Sequence, residues 1–124
     1  MFDFEKLSIY QKAKVYNSKI NNFLITKKFD RTTNDQLRRA SLSIMLNIAE
    51  GLGRFTNPDR RKFYIISRGS VFECVAIFDY LKDINAIKEE EFKLFYDDLV
   101  ELSKMLFSMI RHLSQTNIVK SSRK

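Results

Sequence analysis

The sequence predicts an all-α protein, a single antiparallel up-down-up-down four-helix bundle spanning residues 1–124. Three observations predict it. Apolar residues recur at steps of three and four through nearly the whole chain, the period of an amphipathic helix. Only three Gly and one Pro are present, too few for the many turns of an all-β chain. The breaks between periodic segments are short, roughly three to five residues, and short links join antiparallel neighbours.

The first helix is expected over about 4–28. Ile9, Ala13, Tyr16, Ile20 and Phe23 form its stripe. Asp3 is placed to cap it, because its carboxylate can accept from free N–H groups of the first turn. Lys27 and Lys28 suit the negative end of the helix dipole. The second helix is expected over about 33–52, with Thr33 and Gln36 at capping-box spacing. Leu37, Ser41, Ile44, Ile48 and Leu52 make its stripe, and Gly51 and Gly53 end it through the left-handed C-cap conformation.

The third helix is expected over about 57–84. Either Asn57 caps it with Pro58 in first position, or Thr56 caps it with Asp59 three residues on. Phe63, Ile66, Ser70, Glu73, Ile77, Leu81 and Ile84 line one face, and Tyr64, Val71, Val75 and Phe78 form a second apolar stripe. A helix apolar on several sides is buried on several sides, which one small bundle cannot arrange alone. The fourth helix is expected over about 88–114, opened by the acids of KEEE at the positive helix end. Phe92, Phe95, Leu99, Leu102, Leu106, Met109 and Leu113 repeat for about six turns. A basic tail, 115–124, is expected to fray.

Charge is distributed unevenly. The net charge is +7 at pH 7, but residues 1–68 hold 14 Lys/Arg against 6 Asp/Glu, and residues 69–124 hold 8 against 9. A basic half beside a near-neutral half suits a surface that meets a polyanion; plain solubility is the alternative. The single Cys74 excludes an internal disulfide framework and points to a reducing compartment. The N-terminus lacks the apolar core of a signal peptide, and no run of roughly 18 apolar residues could span a membrane. A cytoplasmic protein is expected.

No catalytic constellation emerges. A di-metal bundle site needs two Glu-x-x-His motifs, whereas His112 is the one histidine and Met109 stands three residues before it. His112 therefore reads as a helix-end cation, and neither a metal nor a cofactor is expected. Cys74 lies in an apolar run, where a thiol is inert filling. The GLGRFT segment follows a helix and lacks a third glycine, so it is not a dinucleotide fingerprint. Glu50 and Glu73 are the two carboxylates that could pair for acid–base work. The structural reading places them in a closed polar seam, Ser43, Asn47 and Glu50 of the second helix facing Ser70 and Glu73 of the third. A buried carboxylate needs such partners; the alternative is that this polar line is the helix's wet face.

These residues carry a family resemblance. The run QLRRASLSIMLNIAEGLGRFTNPDRRKFYIISRGSVFE, residues 36–73, resembles the bacterial four-helix-bundle proteins encoded in 23S rRNA intervening sequences, a group related to the accessory variability determinants of diversity-generating retroelements. Gln36, Arg38, Arg39, Ala40, Ser43, Ile44, Asn47 to Gly51, Gly53, Arg54, Phe63, Gly69, Ser70 and Glu73 match the family pattern. Two positions depart from it. Met45 stands where many relatives have proline, so the second helix should be less kinked. Arg60 stands where many have an aromatic or aliphatic residue, which either weakens packing there or enlarges the basic cluster. The resemblance implies a homopentameric ring. In the retroelement relatives it implies nucleic-acid binding and association with a reverse transcriptase. It brings no catalytic residues.

The leading expectation is thus a non-enzymatic oligomer that binds RNA or DNA, largely without sequence specificity. Candidate contacts are Lys27, Lys28, Arg31, Arg38, Arg39, Arg54, Arg60, Arg61, Lys62 and Arg68. Phe55 and Tyr64 flank the 60–62 cluster; core packing is the preferred reading for both, and stacking on bases is the alternative. The alternatives are a protein-interaction scaffold, such as an accessory subunit of a nucleic-acid enzyme, and an enzyme built on Glu50 and Glu73.

Overall fold

The structure, a computed structural model, describes residues 2–122, with side chains through Ser114. The expected basic tail at 115–124 lies outside the residues whose side chains are described. The described chain is all-helical: a short 3-10 turn, Asp3–Lys6, then α1 (Ser8–Lys27), α2 (Arg31–Leu52), α3 (Asn57–Asp83) and α4 (Glu89–Ser122). Each helix packs against two neighbours, in the cyclic order α1, α2, α3, α4. Lys27 meets Glu91 at one end and Arg61 meets Ser114 at the other, so consecutive helices run in opposite directions.

Two helix starts differ from the sequence reading, each for a local reason, and α4 runs to Ser122, past its expected end at about 114. The chain does not enter α1 at Phe4. Leu7 is extended (φ −74°, ψ 133°) and packs against the core, which separates the 3-10 turn from the helix. Asp3 therefore lies inside the turn, and the Glu5 carboxylate accepts from the Phe2 N–H instead (3.1 Å). The second helix starts at Arg31 because Asp30 caps it, accepting from the Thr33 N–H at 2.7 Å. Hydrogen bonding from Thr33 holds Asp30 below the usual carboxylate range. Thr33 is thus the capped donor and not the cap.

Neither Gly51 nor Gly53 is left-handed. Gly53 ends α2 in the right-handed region, φ −77°. Gly51 is needed for space: a Cβ there would lie 2.6 Å from Cε1 of Tyr64 on α3. The missing side chain lets α2 and α3 approach closely at their linked ends. Thr56 wins the contest to cap α3, its hydroxyl accepting from the Asp59 N–H at 3.3 Å, which places Pro58 inside the first turn. Despite its length, α2 runs unbroken through Met45.

The core takes Ile9, Ala13, Tyr16, Ile20 and Leu24 from α1, and Leu37, Ala40, Ile44 and Ile48 from α2. Phe95, Leu99, Leu102 and Leu106 of the expected α4 seam are buried. Phe78 and Phe95 stack with ring centres 4.9 Å apart, and Phe23 tilts against both. Each fully buried side chain of this size stabilises the fold by about 1.5–3 kcal/mol.

On α3 the second stripe, joined by Leu81 of the first, is the one that turns inward. Tyr64, Ser67, Val71, Cys74, Phe78 and Leu81 face the core. The face led by Phe63 and Ile66 lies one residue, about 100°, away and is largely outside: Ile66 and Ile84 are exposed, as are Ile65, Phe72 and Tyr80. The small Ser67 and Cys74 let α3 pack closely between two neighbours, which the bulkier stripe would prevent. Ser67 donates to the Ile44 carbonyl across the α2–α3 contact (2.8 Å).

Candidate nucleic-acid interface

The ten candidate cations divide among three places. At the end where α1 meets α2, Lys27 pairs with Glu91 (2.8 Å). Lys28 ends α1 in the left-handed region, φ 55°, and Arg31 is exposed beside Asp35 (4.0 Å). Arg38 and Arg39 are exposed partway along α2. Arg38 borders a groove with Lys14, Asn17 and Asn21 of α1. The remaining five, Arg54, Arg60, Arg61, Lys62 and Arg68, lie at the α2–α3 turn and along the start of α3. With α2 spanning 22 residues, or about 33 Å, the two ends are too far apart to act as one patch.

The α2–α3 end is the concentrated one. Residues 54–68 hold five Lys/Arg and one acid, Asp59. Arg54 pairs with Glu50 at 2.5 Å and lies over the Phe63 ring at 4.5 Å. Arg60 donates from Nε to the Arg54 carbonyl (2.8 Å), and Arg61 from Nε to the Ser114 hydroxyl (2.5 Å). Both guanidiniums are therefore held by neutral acceptors. Among the described residues no carboxylate pairs with Arg60, Arg61, Lys62 or Arg68. Arg60 thus adds to the basic cluster and also braces the turn. Arg111 and His112 of α4 are exposed at this same end.

Phe55, at the tip of the turn, is 99% exposed. Tyr64 is buried beneath Gly51 and serves packing, the reading preferred for it from the sequence, whereas Phe55 is not packed. Burial pushes the Tyr64 hydroxyl up, with the Arg60 charge opposing. Sequence reasoning did not find Ser114 or Phe107 as neighbours of these cations. No signal in the sequence could reveal them, because both reach α3 from α4 only once the helices dock.

The seam is real in its neutral half. Ser70 donates to the Ser43 hydroxyl (2.7 Å), and Asn47 donates to the Ser43 carbonyl and hydroxyl (2.9 and 3.0 Å). All three are half-buried. Glu50 and Glu73 are exposed, so the closed carboxylate pair is corrected: both acids lie on the outer edge, where water solvates them. The enclosed polar contact is elsewhere. Ser41 donates to the Tyr16 hydroxyl at 3.4 Å and lies 3.6 Å from the Cys74 sulfur, and Asn17 donates to the Ser41 carbonyl at 2.8 Å. Burial pushes the Cys74 thiol up despite hydrogen bonds from Tyr16 and Ser41, and burial raises Tyr16 well above the usual phenol range. Both stay neutral near pH 7, which is poor chemistry for a nucleophile. Among the described residues no group of three or more His, Cys, Asp or Glu could hold a metal ion, and no helix is long and apolar enough to cross a membrane.

Fold and surface together define a small helical-bundle protein whose distinctive groups are cations and an aromatic ring on an exposed turn. The chain belongs to the 23S rRNA-intervening sequence protein family, whose model matches residues 5–108. It is similar to a crystal structure of a protein of unknown function from the S23 ribosomal protein family of Bacteroides thetaiotaomicron. The two are 23% identical, with a TM-score of 0.77 over 82% of this chain and 97% of that one. That likeness bears on the fold. No curated protein matches the chain.

Proposed function

We propose that this protein is a non-enzymatic, oligomeric nucleic-acid-binding protein that acts in the cytoplasm and contacts phosphates through its α2–α3 end. The observation that carries this reading is the excess of cations over acids at residues 54–68, with Arg60, Arg61 and Lys62 opposed by no carboxylate among the described residues. Phosphate contacts of this kind position a strand without reading its sequence. The exposed Phe55 ring offers a stacking surface beside them. The exposed apolar residues Ile66 and Tyr80 of α3 support self-association. The family resemblance supports a homopentamer as that assembly, and a symmetric assembly would repeat the basic end and add avidity.

The second reading is a protein-interaction scaffold, in which the same apolar face of α3 meets a partner such as a reverse transcriptase and nucleic acid is incidental. A salt-titrated binding assay with fluorescent RNA and DNA oligomers separates the two. The nucleic-acid reading expects the logarithm of the association constant to fall linearly with log[salt], with a slope near −0.9 per phosphate contacted on duplex DNA and about −0.7 on single strands. Absence of binding at low salt, with the oligomer intact, would favour the scaffold.

A further inference from the structure

We infer that the groove between α3 and α4, lined by Arg61, Arg68, Gly69, Phe72 and Phe107, is a binding pocket for a single unpaired nucleotide. It would hold the phosphate on its arginines and the base against its phenylalanine rings. The inference deepens the nucleic-acid reading above and rests on it. The groove encloses about 340 Å³, within the size range of small-ligand sites, and it begins at Arg61, so it continues from the basic end.

Three features distinguish it from an ordinary surface furrow. The first is Arg68. Its guanidinium lies over the Phe72 ring at 4.6 Å and the Phe107 ring at 5.5 Å, while its Nε is buried with no hydrogen-bond partner. That atom is out of a ligand's reach, so the donors an arriving anion would meet are the terminal guanidinium nitrogens, which no carboxylate among the described residues pairs. The second is Arg61, fixed through Nε to Ser114, so a second planar cation borders the same groove already oriented. The third is Gly69. A Cβ there would meet nothing within 4 Å, so packing inside this chain does not explain the glycine. It leaves the groove floor open to something from outside.

The lining also selects the class of ligand. A bare anion would use the arginines and ignore the rings. Phe72 and Phe107 are each about half exposed (54% and 51%), which leaves ring surface for a base, and base–aromatic stacking tolerates any base. A base inside a duplex has both faces covered by its neighbours, so only an unpaired nucleotide can present one.

The test compares binding of a fluorescent oligouridylate and an abasic ribose-phosphate oligomer of the same length to the full chain at low salt. The wild type should prefer the oligouridylate by about tenfold, the scale of one stacked base. Phe107→Leu should erase that preference while leaving salt-dependent binding of the abasic oligomer, whereas Arg68→Lys, which alters a phosphate holder, should weaken binding of both oligomers. Should Arg68→Lys fail to fold, the half-exposed Phe107→Leu carries the test. Equal binding of both oligomers by the wild type, or an unchanged preference in Phe107→Leu, overturns the pocket but leaves the basic end standing. Binding of neither oligomer overturns both readings. Competition by millimolar inorganic phosphate with none by millimolar uridine would show an anion site only. A changed sedimentation coefficient for Phe107→Leu would show a contact between copies. Either result overturns the nucleotide pocket.

Discussion

The cations of α1 and those around the α2–α3 turn belong to the same basic half of the sequence, yet they do different work. Along the α1–α4 edge each lysine meets an acid. Lys12 pairs with Glu101 (2.8 Å) and nears Asp98 (3.9 Å), Lys19 pairs with Asp98 (3.0 Å), and Lys27 pairs with Glu91 (2.8 Å). At the turn, Arg60 and Arg61 are held by neutral oxygens. Net charge by segment cannot separate a structural cation from a binding one; the identity of the acceptor can.

The largest effect expected from this difference concerns binding. Replacing Arg60, Arg61 and Lys62 together by Ala should weaken oligonucleotide binding by about 100-fold and flatten the salt slope by about 2, roughly 0.7 per lost contact on a single strand. Replacing Lys12, Lys19 and Lys27 by Met should change binding by about twofold or less, because their charge is already neutralised. Anisotropy titrations at several salt concentrations would decide, and equal losses in the two variants would break the comparison.

Stability should show the next largest effect, at Gly51. Gly51→Ala drives a methyl group into Tyr64 and should cost about 1–3 kcal/mol. At Gly53 an added Cβ meets only backbone oxygens, the nearer at 3.4 Å, and the same change should stay within about 0.5 kcal/mol. Urea unfolding of the two variants side by side sharpens the point, since only one glycine makes room for α3.

Smaller again is the ion-pair edge. Asp98→Asn should lose about 1 kcal/mol at low salt and less in 1 M salt, where exposed charges are screened within about 3 Å. The smallest effect is a pH dependence at Glu91. Its modest burial raises the carboxyl pKa, but the hydrogen bond from Lys27, followed by the Lys88 N–H and both lysine charges, lowers it further, and the net shift is downward from 4.5. A depressed folded pKa means a stabilisation that is full above the unfolded value and is lost as pH falls below about 4.5 and through the folded pKa. Glu91→Gln should remove a few tenths of a kcal/mol of that acid sensitivity, read from urea midpoints at pH 6 and pH 3.

The fold was legible where one stripe dominates a helix, as along Phe95, Leu99, Leu102 and Leu106. It was not legible on α3, where two apolar stripes compete and periodicity cannot rank them. There the packing partner decides, and the side bearing the small Ser67 and Cys74 turns inward. Caps were legible to within a turn, but Asp30 and Thr33 both fit the rule, and only the hydrogen bond to the Thr33 N–H separates them. Of the candidate interface, the 60–62 cluster could be read as a run of charge. Spacing also found the neutral contact of Ser43 with Ser70, but it extended the seam to Glu50 and Glu73 because helical period places a residue on a face without saying how deep that face lies. The groove around Arg68 depends on Phe107, 39 positions later in the sequence, and no local pattern could connect them.

The two lysines that flank Asp98 have a further consequence. Loops set the height of α2 against α1, of α3 against α2 and of α4 against α3, but no loop joins α1 to α4. Lys12 and Lys19 stand seven residues apart, about 10 Å along the axis, and both reach Asp98. A slide of one helical turn, about 5.4 Å, would carry one lysine out of range and leave the other overshooting. The pair works like a vernier: it contributes little energy, but it marks the one vertical alignment at which the first and last helices close the bundle.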